Sequence, residues 1–191
     1  ENQPFATKIL QLKTEIRKTK TQRVGLKTQK IMHRSIVFVA MALFLLSCNE
    51  NVVTSDMESL PSVWNKSEPV VFTIPEQDSI KEYDVFLTVR NNNDYKFNNL
   101  FLITALDYPN GKTVTDTLEY RMANPDGSWL GNGIGSVKES KLWYKQGFTF
   151  REQGSYRLRI SHALRNNGEV EGVTNLEGIT DVGYSIEKQG Q

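Results

Sequence analysis

Residues 100–120 decide the fold class of this chain, and they read LFLITALDYPNGKTVTDTLEY. The first part, 100–108, is a nearly continuous apolar run with the length of a strand, and 112–120 resume as a second strand. Between them stands Pro109-Asn110-Gly111, and an Asn-Gly pair readily takes the positive φ angles that a tight hairpin turn requires. The stretch therefore predicts an antiparallel hairpin whose first strand lies inside a sheet.

More strands are predicted on both sides of this hairpin. In 83–90, for example, apolar and polar residues largely alternate, which is typical of a strand with one buried face. Asn124-Pro125-Asp126-Gly127 predicts a second turn. The full set of predicted strands is 68–74, 83–90, 100–108, 112–120, 141–151, 155–162 and 181–187. Short strands separated by frequent turns favour an all-β fold, namely an antiparallel β-sandwich of jelly-roll or immunoglobulin-like type over residues 61–188.

The residues before this domain predict a leader. Residues 1–31 are rich in Lys, Thr and Gln and predict a disordered basic extension. Residues 32–47 place Arg34 before an apolar run of eleven residues, 36–46. That run is shorter than the roughly 20 residues of a transmembrane helix, but it suits a secretory signal peptide. We therefore expect translation to begin at Met32, with an inner-membrane anchor and cytoplasmic residues 1–31 as the alternative.

The leader ends in Leu45-Leu46-Ser47-Cys48, which matches a lipobox. Ser47 is the small residue that a signal peptidase needs before the cut. The thiol of Cys48 accepts a diacylglyceryl group and its freed amine a further acyl chain, and two chains suffice for stable anchoring. Cys48 is the only cysteine, so no intramolecular disulfide can form, and a buried cysteine at the end of a core helix is the alternative. Residues 48–60 predict the lipidated cysteine and a short polar tether.

The charge of the chain changes sign at Cys48. Residues 1–47 contain nine Lys/Arg and two Glu, a net charge of +7, whereas residues 48–191 contain 14 Lys/Arg and 20 Asp/Glu, a net charge of −6. Non-specific nucleic-acid binding relies on basic side chains that neutralise phosphates. We therefore expect no nucleic-acid partner for the domain.

The domain lacks the residue sets on which common catalytic and metal sites depend. His162 is its only histidine, and it lies in phase with the apolar residues of its strand, which favours a packed side chain. Clusters of Cys and His for zinc, a P-loop and a dinucleotide fingerprint are all missing from the sequence. We therefore predict no catalytic activity, no metal and no cofactor. A glycosidase with two facing carboxylates and a calcium site at Asp126 are the alternatives.

Two polar segments are candidate interaction loops. Residues 90–95, RNNNDY, follow a predicted strand directly, and residues 125–131, PDGSWLG, place Trp129 in a glycine-rich loop. A tryptophan in such a loop either plugs the core, which we favour, or recognises a ligand. The candidate interaction residues are Arg90, Asn91, Asn92, Asn93, Asp126 and Trp129.

Several sequence blocks resemble one known family. They are RNNNDY (90–95), NLFLI (99–103), DTLEY (116–120), PDGSWLG (125–131), KLWYK (141–145) and LEGITDVG (176–183), and they follow the lipobox at Cys48. Together they resemble the gliding-motility lipoprotein GldH family of Bacteroidetes-type bacteria over about residues 45–188.

This resemblance implies a lipid-anchored protein of the cell envelope that is required for gliding and is linked to type IX secretion. It implies a non-catalytic subunit whose partners are other gliding or secretion lipoproteins, and we expect it on the periplasmic side of the outer membrane. The competing hypothesis is a carbohydrate-binding lipoprotein that uses Trp129 or Trp143. Burial of both tryptophans would count against carbohydrate binding, whereas an exposed tryptophan beside polar residues would favour it.

Overall fold

A computed structural model describes residues 51–61, 63–166, 168 and 170–189. Within these residues the chain forms ten β-strands and no helix. The strands are β1 Val52–Ser59, β2 Val63–Asn65, β3 Val70–Ile74, β4 Tyr83–Asn91, β5 Asn99–Asp107, β6 Thr113–Arg121, β7 Lys138–Phe148, β8 Tyr156–His162, β9 Asn175–Glu177 and β10 Ile179–Lys188. All seven predicted strands are present, which confirms the all-β prediction.

Eight of these strands form two four-stranded antiparallel sheets. Sheet I has the order β1-β10-β4-β7 and sheet II the order β3-β8-β5-β6, while β2 and β9 form a separate two-stranded ribbon. The pairing is nested, because β1 pairs with β10, β3 with β8, β4 with β7 and β5 with β6. Eight strands paired in this nested way across two sheets define a jelly roll rather than an immunoglobulin-like sandwich.

The hydrophobic core lies between the two sheets. Sheet I contributes Leu87 and Val182 and sheet II contributes Leu102 and Leu158, all of which are fully buried. In β5 and β8 the inward residues alternate with more exposed ones, as the two-residue period of a strand requires, whereas β4 and β10 are buried over most of their length. The ribbon of β2 and β9 adds Trp64, whose ring packs edge-on against His162 at 5.2 Å between centroids.

The hairpin that indicated the fold class forms as predicted. β5 and β6 pair antiparallel from Asn99↔Arg121 to Asp107↔Thr113. Gly111 closes the turn with a φ of 87° and donates its backbone N–H to the carbonyl of Tyr108 at 2.9 Å. A positive φ of this size favours glycine, so the turn depends on that residue.

The predicted tether is wrong over residues 52–59, because they form β1. This strand pairs antiparallel with β10 from Val52↔Glu187 to Ser59↔Asp181. Its side chains are half-buried or exposed, so backbone hydrogen bonds rather than apolar alternation hold it in the sheet. The strands of the sandwich accordingly begin at Val52, before the predicted start of the domain at Pro61.

The two ends of the strands of sheet I are named here by the β1 residue that lies at each. At one end, called the Val52 end, Val52 lies opposite Glu187, which lies opposite Asp84. At the other end, called the Ser59 end, four paired residues lie side by side across the sheet. They are Ser59 on β1, Asp181 on β10, Arg90 on β4 and Glu139 on β7. Eight strand residues at about 3.3 Å each separate these ends by about 26 Å.

Candidate interaction surface

The predicted anchor residues lie outside the described part of the chain. This applies to Cys48, to Ser47 and to the leader over 1–31 and 32–47. Their roles therefore stay predictions. The described part itself contains no helix long and apolar enough to cross a membrane.

The two candidate interaction loops both lie at the Ser59 end of the sandwich. The first leaves β4 at Asn91, and the second precedes β7, whose first residue Lys138 pairs with Asn91. The rings of Tyr95 and Trp129 join the loops at 6.0 Å between centroids. Segments that are more than 30 residues apart in the sequence thus form one surface.

The first loop is held by hydrogen bonds to its own backbone and to a neighbouring strand. The backbone N–H of Asn92 donates to the carbonyl of Gly178 at 2.9 Å, and its side-chain Oδ1 accepts from the N–H of Asp94 at 2.9 Å. The hydroxyl of Tyr95 donates to the carbonyl of Asn99 at 2.7 Å. Burial raises the pKa of that hydroxyl, so Tyr95 stays neutral and anchors the loop.

The four candidate residues of this loop have different surroundings. Asn91 is buried, and its amide donates to the carbonyl of Asn92 at 3.3 Å, which indicates a structural role. Arg90 is half-exposed and pairs with Glu139 at 2.8 Å, so its charge is already neutralised. Asn92 is half-buried, and Asn93 is the one of the four that is exposed.

Asp126 caps a turn rather than facing a ligand. One of its carboxylate oxygens accepts from the backbone N–H of Ser128 at 2.9 Å and from the hydroxyl of Ser128 at 2.6 Å. These bonds hold the pKa of Asp126 below its usual range. The carbonyl of Asn124 accepts from Gly127 N–H at 2.9 Å, which confirms the predicted turn. In the described residues no three His, Cys, Asp or Glu side chains cluster so as to hold a metal ion.

The two tryptophans named for carbohydrate binding differ in exposure. Trp129 is half-buried and packs against the core beside Tyr95, so the favoured interpretation of a core plug agrees with its position. Trp143 points outward from β7, is 54% exposed and packs on Phe86 at 4.3 Å between ring centroids. One exposed tryptophan leaves the carbohydrate hypothesis open.

His162 is a packed core residue, as its phase in the strand predicted. It is fully buried, and its Nε2 lies 3.0 Å from the carbonyl oxygen of Trp64. Burial lowers the pKa of His162, which favours the neutral ring. No carboxylate or hydroxyl side chain among its described partners completes a catalytic pair.

A shallow groove of about 410 Å³ lies beside the first loop and was not predicted. Its lining includes Asp94, Lys96, Phe97 and Glu177, and Lys96 pairs with Glu177 at 2.7 Å. The groove combines residues from the β4–β5 loop, the β8–β9 loop and β9, so no local pattern in the sequence indicated it.

The second loop continues into an exposed apolar segment that was also not predicted. Leu130 is 47% exposed, Ile134 fully exposed and Val137 38% exposed. The sequence does contain a feature that could have indicated this apolar surface, because residues 127–137 contain no charged side chain.

Together these features define an antiparallel jelly-roll domain that carries a surface of loops at one end. Comparison with known proteins narrows this class to one family. The family model described as GldH lipoprotein matches residues 52–186, and the chain belongs to that family. As a member of a lipoprotein family it is associated with a membrane of the cell envelope.

Two curated relatives support this assignment over nearly their whole length. The chain is 49% identical to the gliding motility lipoprotein GldH homolog of Christiangramia forsetii, over 80% of this chain and 93% of the relative. It is 47% identical to the gliding motility lipoprotein GldH of Flavobacterium johnsoniae, over 84% of this chain and 99% of the relative.

Solved structures resemble the chain only distantly. The VP2 subviral particle of infectious bursal disease virus aligns with 74% of this chain and 34% of its own, at a TM-score of 0.37 and 15% identity. A fructofuranosidase of Schwanniomyces occidentalis aligns with 74% of this chain and 35% of its own, at a TM-score of 0.37 and 8% identity.

Proposed function

We propose that this chain is a lipid-anchored, non-catalytic subunit of a gliding-motility apparatus that is linked to type IX secretion. Ser47 precedes the cleavage site and Cys48 carries the lipid. The domain faces the periplasm from the outer membrane and binds other lipoproteins of the apparatus. The names of the two relatives, both gliding motility lipoproteins, support the motility part of this proposal.

The observation that carries the proposal is the position of β1. The first strand begins at Val52, only four residues after Cys48, and Lys188 N–H donates to the carbonyl of Asn51 at 2.9 Å. Four residues span at most about 14 Å, so a lipid on Cys48 holds the Val52 end of the sandwich close to the membrane. The Ser59 end, which carries both candidate interaction loops, then faces away from the membrane.

The non-catalytic part rests on the surroundings of the polar residues at the Ser59 end. Asp126 caps its own turn, Arg90 is paired with Glu139, and Lys96 is paired with Glu177. A general acid or base needs a pKa tuned towards neutrality. The hydrogen bonds from Ser128 lower the pKa of Asp126 and the hydrogen bond to Glu177 raises the pKa of Lys96, and both shifts lead away from neutrality. Interaction with a protein is the function that such a surface serves best.

The test is replacement of the gene in its own organism. A deletion strain is complemented with the wild-type chain, with Cys48→Ala or with Cys48→Ser, and spreading, secretion of type IX cargo and membrane fractionation are scored. We expect loss of spreading and secretion in the deletion strain, and release of both Cys48 variants from the membrane. Normal spreading and secretion without the gene would refute the motility and secretion roles, and membrane retention of both variants would refute the anchor.

Carbohydrate binding remains a second candidate because of the exposed ring of Trp143. Lys141 and Glu187, which form an ion pair at 2.6 Å, lie on the same outer face and offer hydrogen-bonding groups beside that ring. Titration of the full chain with cell-envelope oligosaccharides tests this idea, with Trp143→Ala as the control. Saturable binding that Trp143→Ala abolishes would support a carbohydrate site, and equal behaviour of both proteins would exclude one at Trp143.

A further inference from the structure

The segment of residues 130–137, called the tip loop, exposes apolar side chains in an unusual setting. Ile134 at its centre is fully exposed, and Leu130 and Val137 flank it with 47% and 38% exposure. A single exposed aliphatic residue is common on protein surfaces, whereas several exposed apolar residues close together are typical of an interaction site.

The tip loop is a structured turn. The backbone N–H of Asn132 donates to the carbonyl of Glu139 at 2.8 Å, and Glu139 N–H donates back to Asn132 at 2.7 Å. The ammonium group of Lys138 donates to the carbonyl of Gly133 at 2.7 Å and so fixes the next turn of backbone. A loop whose backbone is already fixed in this way loses little backbone conformational entropy when it binds, which favours affinity.

Glycines make this tight turn possible. A Cβ atom on Gly133 would lie 2.5 Å from the carbonyl oxygen of Val137, and one on Gly131 would lie 2.9 Å from the carbonyl oxygen of Glu139. The two strands of the loop therefore approach more closely than any larger residue allows. Ile134 lies beyond this close approach and is fully exposed.

The charge pattern specifies what the tip loop can bind. Residues 127–137 form an uncharged run of eleven residues within a segment whose net charge is −6. The charged side chains that flank the run in the sequence are occupied. Asp126 accepts from Ser128, Lys138 donates to the carbonyl of Gly133, and Glu139 pairs with Arg90. A complementary surface must therefore be apolar and uncharged, because a charged group would lose its hydration here without gaining a partner.

We propose that the tip loop is the docking element of this domain, and that Ile134 enters an uncharged apolar pocket on a different protein of the envelope. This proposal rests on the proposed function, since anchoring at Cys48 is what turns the Ser59 end away from the membrane. About 26 Å of β1 separate that end from the Val52 end, so the anchoring bilayer is not the natural occupant. A second copy of the chain fits poorly, because its described surface depressions carry ionic side chains such as Lys96 with Glu177 and Glu58 with Glu68.

The chain offers a matched control at its other end. Like Ile134, Ile80 is an exposed isoleucine in a loop, and its exposure is 89%. Unlike Ile134, it lies just before β4, at the Val52 end. Ile134→Asp and Ile80→Asp therefore make the same chemical change on two exposed surfaces, one facing the proposed partner and one facing the proposed membrane. Both full-length variants are expressed from the native locus, and equal amounts in the membrane fraction show that both fold.

The first readout is function and complex formation. We expect Ile134→Asp to abolish spreading and secretion and to weaken co-purification of the partner by about 10- to 100-fold, as loss of an interface hot spot does. Ile80→Asp should behave as wild type. Unchanged co-purification and unchanged spreading with Ile134→Asp would overturn the proposal.

The second readout identifies the occupant by photo-crosslinking in living cells. A benzophenone amino acid in place of Ile134 should give one adduct with a single other polypeptide, identified by mass spectrometry, and the same group in place of Ile80 should not give that adduct. Adducts at position 134 with lipid, or with a second copy of this chain, would overturn the proposal. Because crosslinking does not depend on motility, it still decides the docking role if the deletion strain spreads and secretes normally and the proposed function fails.

Discussion

Replacement of Gly178 by alanine should destabilise the domain more than any other single-methyl addition in the described residues of its loops. Gly178 separates β9 from β10, has a φ of 84° and accepts a hydrogen bond from Asn92 N–H at 2.9 Å. An added Cβ would meet the backbone nitrogen of Tyr95 at 2.1 Å and its Cα at 2.5 Å. Both neighbours are backbone atoms of the first candidate loop, so a side-chain rotation cannot relieve the overlap.

The expected loss of stability has two parts. A non-glycine residue in the left-handed region costs about 1–2 kcal/mol. Overpacking that moves backbone costs about a further 1–3 kcal/mol. The sum of about 2–5 kcal/mol is a large share of the roughly 5–15 kcal/mol by which a domain is stable.

Gly127 is the matched control, because it has the same φ of 84° but nothing within 4 Å of an added Cβ. Gly127→Ala should therefore show only the backbone part, about 1–2 kcal/mol. Urea unfolding of the full chain, followed by tryptophan fluorescence, measures both variants. At a slope of about 2 kcal/mol per molar urea, Gly178→Ala should lower the midpoint by about 1–2.5 M. Equal midpoints for the two variants would refute the close packing of Gly178 against Tyr95.

Three further predictions concern the core and the contacts between the sheets. Burial lowers the pKa of His162, so below pH 6.5 the unfolded chain binds a proton that the folded chain does not, and the free energy of unfolding decreases as the pH is lowered. His162→Gln should flatten this dependence in unfolding measurements between pH 5 and 7. An unchanged dependence would contradict the burial of His162. Leu158→Ala should lower the free energy of unfolding by about 2–5 kcal/mol through a buried cavity. The exposed control Val71→Ala should stay within about 0.5 kcal/mol in the same assay, and similar losses for both would argue against the core assignment. Asp116 on β6 accepts from Lys145 on β7 at 2.9 Å, so Asp116→Asn should lower the urea midpoint more at low salt than at high salt, because screening weakens the lost charge pair.

Much of the sandwich could be predicted because its strands follow local patterns. The inward residues of β5 and β8 alternate with more exposed ones, and Asn110-Gly111 fixes the hairpin after β5. The choice between jelly roll and immunoglobulin-like sandwich could not be made from sequence. It depends on which strands pair over long range, such as β4 with β7, and no local pattern encodes that pairing.

The candidate surface was predicted in its residues but not in its geometry. The loop after β4 and the loop around Trp129 were singled out for their polar and glycine-rich sequences, and they meet through Tyr95. Asn91 and Asp126 prove to be bound within their own loops, which a list of polar residues cannot reveal. Ile134 was missed because an isoleucine between glycines has no period that distinguishes a core residue from an exposed one.

Among the strands that the sequence analysis did not predict, β1 matters most for the proposed function. Its exposed Ser, Asp and Glu side chains give no strand signal, because an edge strand can be held by the backbone bonds of one neighbour, here β10. With β1 counted as tether, twelve residues would separate Cys48 from the fold and the domain could face the membrane in any direction. With β1 in the sheet, only residues 49–51 remain between them, and the direction of the strand decides which end a lipid on Cys48 would hold near the membrane. The proposed docking role of Ile134 therefore depends on the pairing of a strand in which only Val52, Val53 and Met57 are apolar.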